Sequence, residues 1–154
     1  MPDPLLTVQA LDAHYGDFQA LFGLSIAVAR GQAVAVIGAN GAGKSTLLKS
    51  IAGLMRSRPD AIVFDGALIG TLPAHAVARC GIALVPEGRR LFPSLTVEEN
   101  LLIGGQGGRQ GPWTLARIYE LFPVLAERRA LGWPAADGRD RAGADVEPDV
   151  APLR

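Results

Sequence analysis

Short apolar runs separated by turn residues dominate the beginning of the chain. Between residues 5 and 30 these runs are broken by Gly16, Asp17 and Gly23, which predicts strands joined by turns. A further short strand is predicted at residues 61–64, where an Asp-Gly turn pair follows.

Two continuous apolar runs, residues 33–37 and 82–85, are typical of strands covered on both faces in a parallel sheet. The first run leads through a glycine-rich loop into residues 44–54, where apolar positions recur with helical spacing. Other helices are predicted at residues 73–79, from Thr96 onward with acidic residues in the first turn, and over residues 113–129 with a break at Pro123.

Two segments lack this periodicity. Residues 104–111 contain five glycines and are predicted to form a flexible loop. Residues 130–154 are rich in Ala, Asp, Arg, Gly and Pro, a composition typical of a disordered tail. The chain is therefore expected to divide into a domain over residues 5–129 and a tail over residues 130–154.

The composition excludes several kinds of partner. Fifteen basic and fifteen acidic residues give a net charge of zero, so we expect no electrostatic binding of nucleic acid. Apolar stretches stay well below the roughly 18 residues that a membrane span needs, so we expect no direct membrane insertion. The N-terminal residues also lack the pattern of a signal peptide.

The loop between the first apolar run and the helix carries the clearest chemistry. Its residues match the phosphate-binding pattern Gly-x-x-x-x-Gly-Lys-Ser, known as Walker A. In such a loop, glycines let backbone N–H groups point at phosphate oxygens, Lys44 supplies charge to the β- and γ-phosphates, and the Ser45 hydroxyl ligates Mg²⁺. The predicted nucleotide-binding residues of the loop are Gly38, Asn40, Gly41, Ala42, Gly43, Lys44, Ser45 and Thr46.

The loop by itself leaves narrower classes of phosphate-binding protein to consider. A GTPase would read guanine with an Asn-Lys-x-Asp motif, which the chain lacks. A small-molecule kinase is compatible with the loop alone, although no arginine-rich lid is evident.

The residues around the loop resemble a known family. HYGDFQALFGLSIAVARGQAVAVIGANGAGKSTLLKSIAGL, residues 14–54, resembles the N-terminal part of an ABC transporter ATPase. GIALVPEGRRLFPSLTVEENLLIGG (81–105) and PWTLARIYELFPVLAERR (112–129) resemble the ATP-binding subunits of branched-chain amino acid importers.

This resemblance implies an α/β P-loop NTPase fold: the N-terminal part of an ABC ATPase, with an incomplete core sheet and the start of a helical subdomain. It also implies binding of ATP and Mg²⁺, membrane permease subunits as partners, and a homodimer or heterodimer with another ABC ATPase subunit. The implied location is cytoplasmic, peripheral to the inner membrane through the permease.

The resemblance assigns roles to residues outside the loop. Tyr15 matches the aromatic residue that stacks on adenine, with an ordinary packing role as the alternative. Glu87 matches the Q-loop position near Mg²⁺ and the attacking water, with a solvated loop residue as the alternative. Related urea and amide importers usually have glutamine there, so Glu87 favours the branched-chain group. Residues 91–93 and the helix from Thr96 would line the groove for a permease coupling helix, with an ordinary core role for Phe92 as the alternative.

Three family motifs do not occur in these 154 residues: the LSGGQ signature, the Walker B Asp-Glu pair and the switch histidine. Back-translation of the tail offers an explanation. Read from the second base of each codon, residues 130–134 can spell Leu-Ser-Gly-Gly-Gln, and the frame continues through a signature-type helix to an Asp-Glu pair. We therefore expect a one-frame shift just before Ala130, with a genuinely divergent tail as the alternative.

Two function classes follow. The chain is either the ATPase subunit of an amino acid importer or a non-catalytic remnant that binds nucleotide. The family resemblance favours the first class, and the missing motifs favour the second.

Overall fold

The computed structural model describes residues 4–88, 90–105 and 111–132. The described residues divide into two compact units, the first within residues 4–85 and the second within residues 86–132. Most of the predicted tail, residues 133–154, lies outside the described residues, as does the centre of the predicted glycine loop.

The first unit is built on a four-stranded sheet. Its strands follow the order β2-β1-β3-β4, and every neighbouring pair is antiparallel. The strands are β1 (Leu6–Tyr15), β2 (Phe18–Val28), β3 (Ile62–Phe64) and β4 (Ala67–Leu68). The strands predicted between residues 5 and 30 and at 61–64 are therefore confirmed.

The β1–β2 hairpin is irregular because its register shifts three times between Val8 and His14. The Asp12 carboxylate accepts hydrogen bonds from the Gly23 backbone N–H (2.8 Å) and the Gln19 side chain (3.0 Å). Such shifts increase the local twist of a hairpin. The Asp12 side chain therefore links β1 to β2 three positions before Tyr15.

Two helices pack in the same unit. These are α1 (Lys44–Ile51) and α2 (Ala74–Arg79), and a short 3-10 turn at Pro59–Ala61 precedes β3. The two helices are confirmed, but α1 ends three residues before the predicted position 54. Gly53 has a φ of 70°, and a side chain there would approach the Leu72 carbonyl oxygen to 2.8 Å, so a left-handed glycine turn stops the helix.

The core of the first unit lies between the sheet and these helices. Its buried apolar residues are Val8, Leu11, Ala13, Leu21, Leu47, Ala61, Ile62, Ile69 and Val77.

Residues 33–37 and 82–85 are not strands, contrary to the sequence prediction. Within the described residues neither segment joins the sheet, and Ile37 is 92% exposed and Val85 91% exposed. Apolar composition supplies a surface suited to burial, but a strand also needs a hydrogen-bonded neighbour. The described sheet contains only antiparallel pairs and provides no neighbour for either segment.

The second unit is helical. It contains α3 (Val97–Gly105), α4 (Leu115–Leu121) and α5 (Pro123–Glu127), and Thr96 forms an isolated bridge with Gly132. The helix start after Thr96 and the break at Pro123 are confirmed. Gly104 and Gly105 still belong to α3, so the loop predicted from residue 104 starts later than expected. Of the helices that the structure describes, none is long and apolar enough to cross a membrane.

Candidate nucleotide-binding site

The glycine-rich loop leads directly into α1, which begins at Lys44. Gly41 and Gly43 have φ angles of 84° and 83°, a region that side chains rarely adopt. The first turn of α1 carries no acidic residue. The N-terminal N–H groups of the helix therefore present an uncompensated positive pole to the loop, which suits an anion.

Gly43 sets how closely the loop approaches the sheet. A Cβ atom at this position would lie 2.5 Å from Leu21 Cδ2 and 2.9 Å from the Ala20 carbonyl oxygen. These distances are too short for any side chain. Glycine is thus required for the loop to pack against β2 at this distance.

Lys44 reaches back over the loop. Its ammonium group donates hydrogen bonds to the carbonyl oxygens of Gly38 and Ala39, both at 2.7 Å. The positive charge is therefore held at the loop that the glycines shape. This is the position from which a lysine can neutralise the phosphates of a bound nucleotide.

The two hydroxyl residues after Lys44 have different surroundings. Ser45 is exposed on the first turn of α1, whereas Thr46 is only 6% exposed. Ser50 donates a hydrogen bond to the Thr46 carbonyl oxygen at 3.0 Å and is itself buried. An exposed serine hydroxyl beside a phosphate loop fits Mg²⁺, which takes few protein ligands and completes its shell with phosphates and water. The described part of the chain holds no cluster of three or more His, Cys, Asp or Glu residues that could bind a metal by itself.

Tyr15 lies close to the loop, at the end of β1. Its hydroxyl oxygen is 3.4 Å from Thr46 Oγ1, and the residue is 47% exposed. Lys49 Nζ lies 5.9 Å from the ring centroid, within the range of a cation–π interaction. The hydrogen bond with Thr46 lowers the pKa of Tyr15 below its usual 10.0, and the Lys49 charge acts in the same direction.

The structure thus places Tyr15 beside α1, the helix that follows the glycine-rich loop, and its stacking on adenine stays a prediction. Sequence reasoning missed Lys49. The spacing places Lys49 on the same face of α1 as Thr46, three positions earlier, but only the packing of α1 shows that this face meets Tyr15.

Glu87 belongs to the second unit. It is exposed and lies in a bend after Pro86. Its assignment to the Q-loop position stays a prediction.

The segment at residues 91–93 is tied to α3 by Asn100. The Asn100 side chain accepts a hydrogen bond from the Phe92 backbone N–H (2.9 Å) and donates one to the Phe92 carbonyl oxygen (3.1 Å). Phe92 is left 53% exposed. Asn100 gives this segment a fixed shape, a role that the sequence pattern did not indicate.

Comparison with known proteins identifies the family. The sequence profile described as ABC transporter matches residues 21–145. The chain is 42% identical over 126 residues to the high-affinity branched-chain amino acid transport ATP-binding protein BraG of Pseudomonas aeruginosa, covering 80% of this chain and 54% of the relative. It is 40% identical over 99 residues to the branched-chain amino acid transport ATP-binding protein LivF of Archaeoglobus fulgidus, covering 64% of this chain and 42% of the relative.

Comparison with solved structures supports the same family. A structure described as the ATP binding subunit of an ABC transporter matches with a TM-score of 0.66 and 36% identity, covering 86% of this chain and 55% of that one. The chain spans about half the length of the relatives it matches. The predicted P-loop NTPase fold is confirmed, in the form of a partial α/β fragment with a small antiparallel sheet. The chain therefore belongs to the ABC transporter family and carries part of its ATP-binding cassette.

Proposed function

We propose that this chain is the nucleotide-binding part of an ATP-binding subunit that serves an importer of branched-chain amino acids. Nucleotide binding is supported by one observation: the Lys44 ammonium is held over a loop in which Gly41 and Gly43 adopt left-handed conformations. The transported substrate rests on the two relatives, both of which carry branched-chain amino acid transport in their names.

Different residues of the site would bind different parts of the nucleotide. The loop and the N-terminus of α1 would hold the phosphates through backbone N–H groups, with Lys44 exchanging its carbonyl partners for phosphate oxygens. Ser45 would hold Mg²⁺, which when bound neutralises charge on the β- and γ-phosphates. Tyr15 would stack on the adenine ring through the part of its surface that remains exposed.

The importer assignment implies partners. The subunit would dock under membrane permease subunits through residues 91–93 and α3, and would pair with a second ATP-binding subunit. Glu87, at the Q-loop position, would approach Mg²⁺ and the attacking water. Its carboxylate supports a branched-chain importer over the related urea and amide importers.

A non-catalytic nucleotide-binding remnant is the second candidate function. It is favoured by one observation: residues 130–134 read Ala-Leu-Gly-Trp-Pro where the family resemblance places the LSGGQ signature. The frame shift proposed before Ala130 explains that difference. Both candidates bind nucleotide, and they differ in ATP turnover.

Calorimetric titration of the 154-residue chain with Mg·ATP tests nucleotide binding, which the two candidate functions share. We expect saturable binding, and we expect Lys44→Ala to weaken it at least about tenfold because the substitution removes charge-assisted hydrogen bonds to the phosphates. Arg79→Ala is the matched control, since it removes an exposed positive charge in the same unit on α2. Equal affinities for the wild type and Lys44→Ala would contradict the proposed site.

A further inference from the structure

Tyr15 is held by two side chains of one helix. Thr46 contacts its hydroxyl group, at the edge of the ring, and Lys49 places its ammonium over the ring itself. Both residues belong to α1, the helix whose N-terminus completes the phosphate-binding loop. The ring is therefore tied to the phosphate cradle although it lies at the end of a different element, β1.

Lys49 has the properties of a residue that fixes the ring. Its side chain is exposed, so it contributes little to the core of the unit. A cation over an aromatic face is attracted by the negative charge on that face. The attraction limits rotation of the ring and leaves part of its surface open, since 47% of Tyr15 stays exposed.

Fixing the ring matters for stacking. A tyrosine that moves freely must be ordered when a base stacks on it, and that ordering reduces the affinity. A ring already held by Thr46 and Lys49 has lost this freedom before the ligand arrives. The resulting gain in affinity concerns only the base, because the phosphates are bound by the loop and by Lys44.

We propose that Lys49 is a positioning residue for the nucleobase, holding the Tyr15 ring so that a purine can stack on it. The inference rests on the proposed nucleotide-binding function and adds a residue that acts on the base alone. Lys49 raises the affinity of the site for purine nucleoside triphosphates. It does not change the affinity for a triphosphate that has no base.

The test compares Mg·ATP with Mg·tripolyphosphate, the same phosphate chain without ribose or base. Lys49→Met keeps the length of the side chain and removes its charge. We expect it to weaken ATP binding by about two- to fivefold, the range of an exposed cation–π interaction, and to leave tripolyphosphate binding unchanged. Lys49→Arg retains a cation over the ring and should restore the wild-type ratio of the two affinities.

Two controls distinguish an effect on the base from an effect on the phosphates or on the fold. Lys44→Ala should weaken both ligands, and far-UV circular dichroism should show that every variant keeps the wild-type fold. If Lys49→Met weakens ATP and tripolyphosphate equally, Lys49 acts on the phosphates or on the fold, and the inference is overturned. If neither ligand is affected, it is overturned as well. Failure of the wild type to bind ATP would instead overturn the proposed function, and the inference with it.

Discussion

At the scale of single residues, Gly43 is the point where the phosphate-binding loop touches the sheet. Its φ of 83° and the 2.5 Å that would separate a Cβ atom from Leu21 Cδ2 both require glycine. Gly41 has nearly the same φ, 84°, but a Cβ atom there would meet nothing within 4 Å. The two glycines therefore separate the effect of backbone conformation from the effect of close packing.

Alanine at these two positions should have unequal effects on stability. Gly41→Ala should cost about 1 kcal/mol or slightly more, the conformational cost of a left-handed alanine. Gly43→Ala should cost more, because it adds a clash with Leu21 and the Ala20 carbonyl group. Urea unfolding followed by far-UV circular dichroism would measure both, and equal losses would show that the contact with β2 is not needed.

At the scale of elements, the start of α3 is capped by reciprocal hydrogen bonds between Thr96 and Glu99. The Glu99 carboxylate accepts hydrogen bonds from the Thr96 backbone N–H (2.8 Å) and hydroxyl group (2.9 Å), and Glu99 N–H donates to Thr96 Oγ1 (3.2 Å). This arrangement is a capping box. The backbone hydrogen bond from Thr96, followed by its hydroxyl group, lowers the pKa of Glu99 below its usual 4.5.

The lowered pKa determines how stability depends on pH. A carboxyl group whose pKa is lower in the folded state stabilises the fold above its usual pKa, because the unfolded chain binds the proton more tightly. That contribution is fully present above about pH 4.5 and is lost as the pH falls through the lower, folded-state value.

We therefore expect Glu99→Gln to flatten the acid side of the stability profile. The wild type should lose stability as the pH falls below about 4.5, and the variant should lose less. Urea midpoints measured between neutral and acid pH would show the difference. Glu98→Gln is the matched control, since it removes a negative charge from the same first turn of α3. If both variants give the same profile, the capping box is not the cause.

At the scale of the whole molecule, two apolar segments are left without neighbours in the described sheet. Residues 33–37 carry Ile37 at 92% exposure, and residues 82–85 carry Val85 at 91%. Residues 33–37 are exposed throughout, and an exposed β-type segment of this kind can pair with other chains, whereas Ile82 packs against the core. The phosphate-binding loop is formed even though the segment leading into it is not part of a sheet.

We predict that the purified 154-residue chain has no ATP turnover above background. It contains neither a Walker B Asp-Glu pair nor the signature motif, and loss of one preorganised electrostatic group alone costs about 10²- to 10³-fold in kcat. Steady-state phosphate release would measure the rate, with Lys44→Ala as the background. A rate that disappears in Lys44→Ala would refute the prediction and favour the importer ATPase over the remnant.

The nucleotide sequence around codon 130 provides an independent check of the frame shift. A shifted frame that encodes Leu-Ser-Gly-Gly-Gln and then an Asp-Glu pair would support it. A locus without that frame would rule it out.

The sequence alone determined the glycine-rich loop before α1, the hairpin, α1 itself and the start of α3. These features depend on local chemistry: left-handed glycines, a Walker A spacing, helical periodicity and a Thr-x-x-Glu cap. The tertiary structure alone decided two other matters. Residues 33–37 and 82–85 have the composition of strands, but pairing depends on distant neighbours, and the described sheet offers them none. Lys49 meets Tyr15 because packing brings α1 against the β1–β2 hairpin, a contact between elements far apart in the chain that no local pattern encodes.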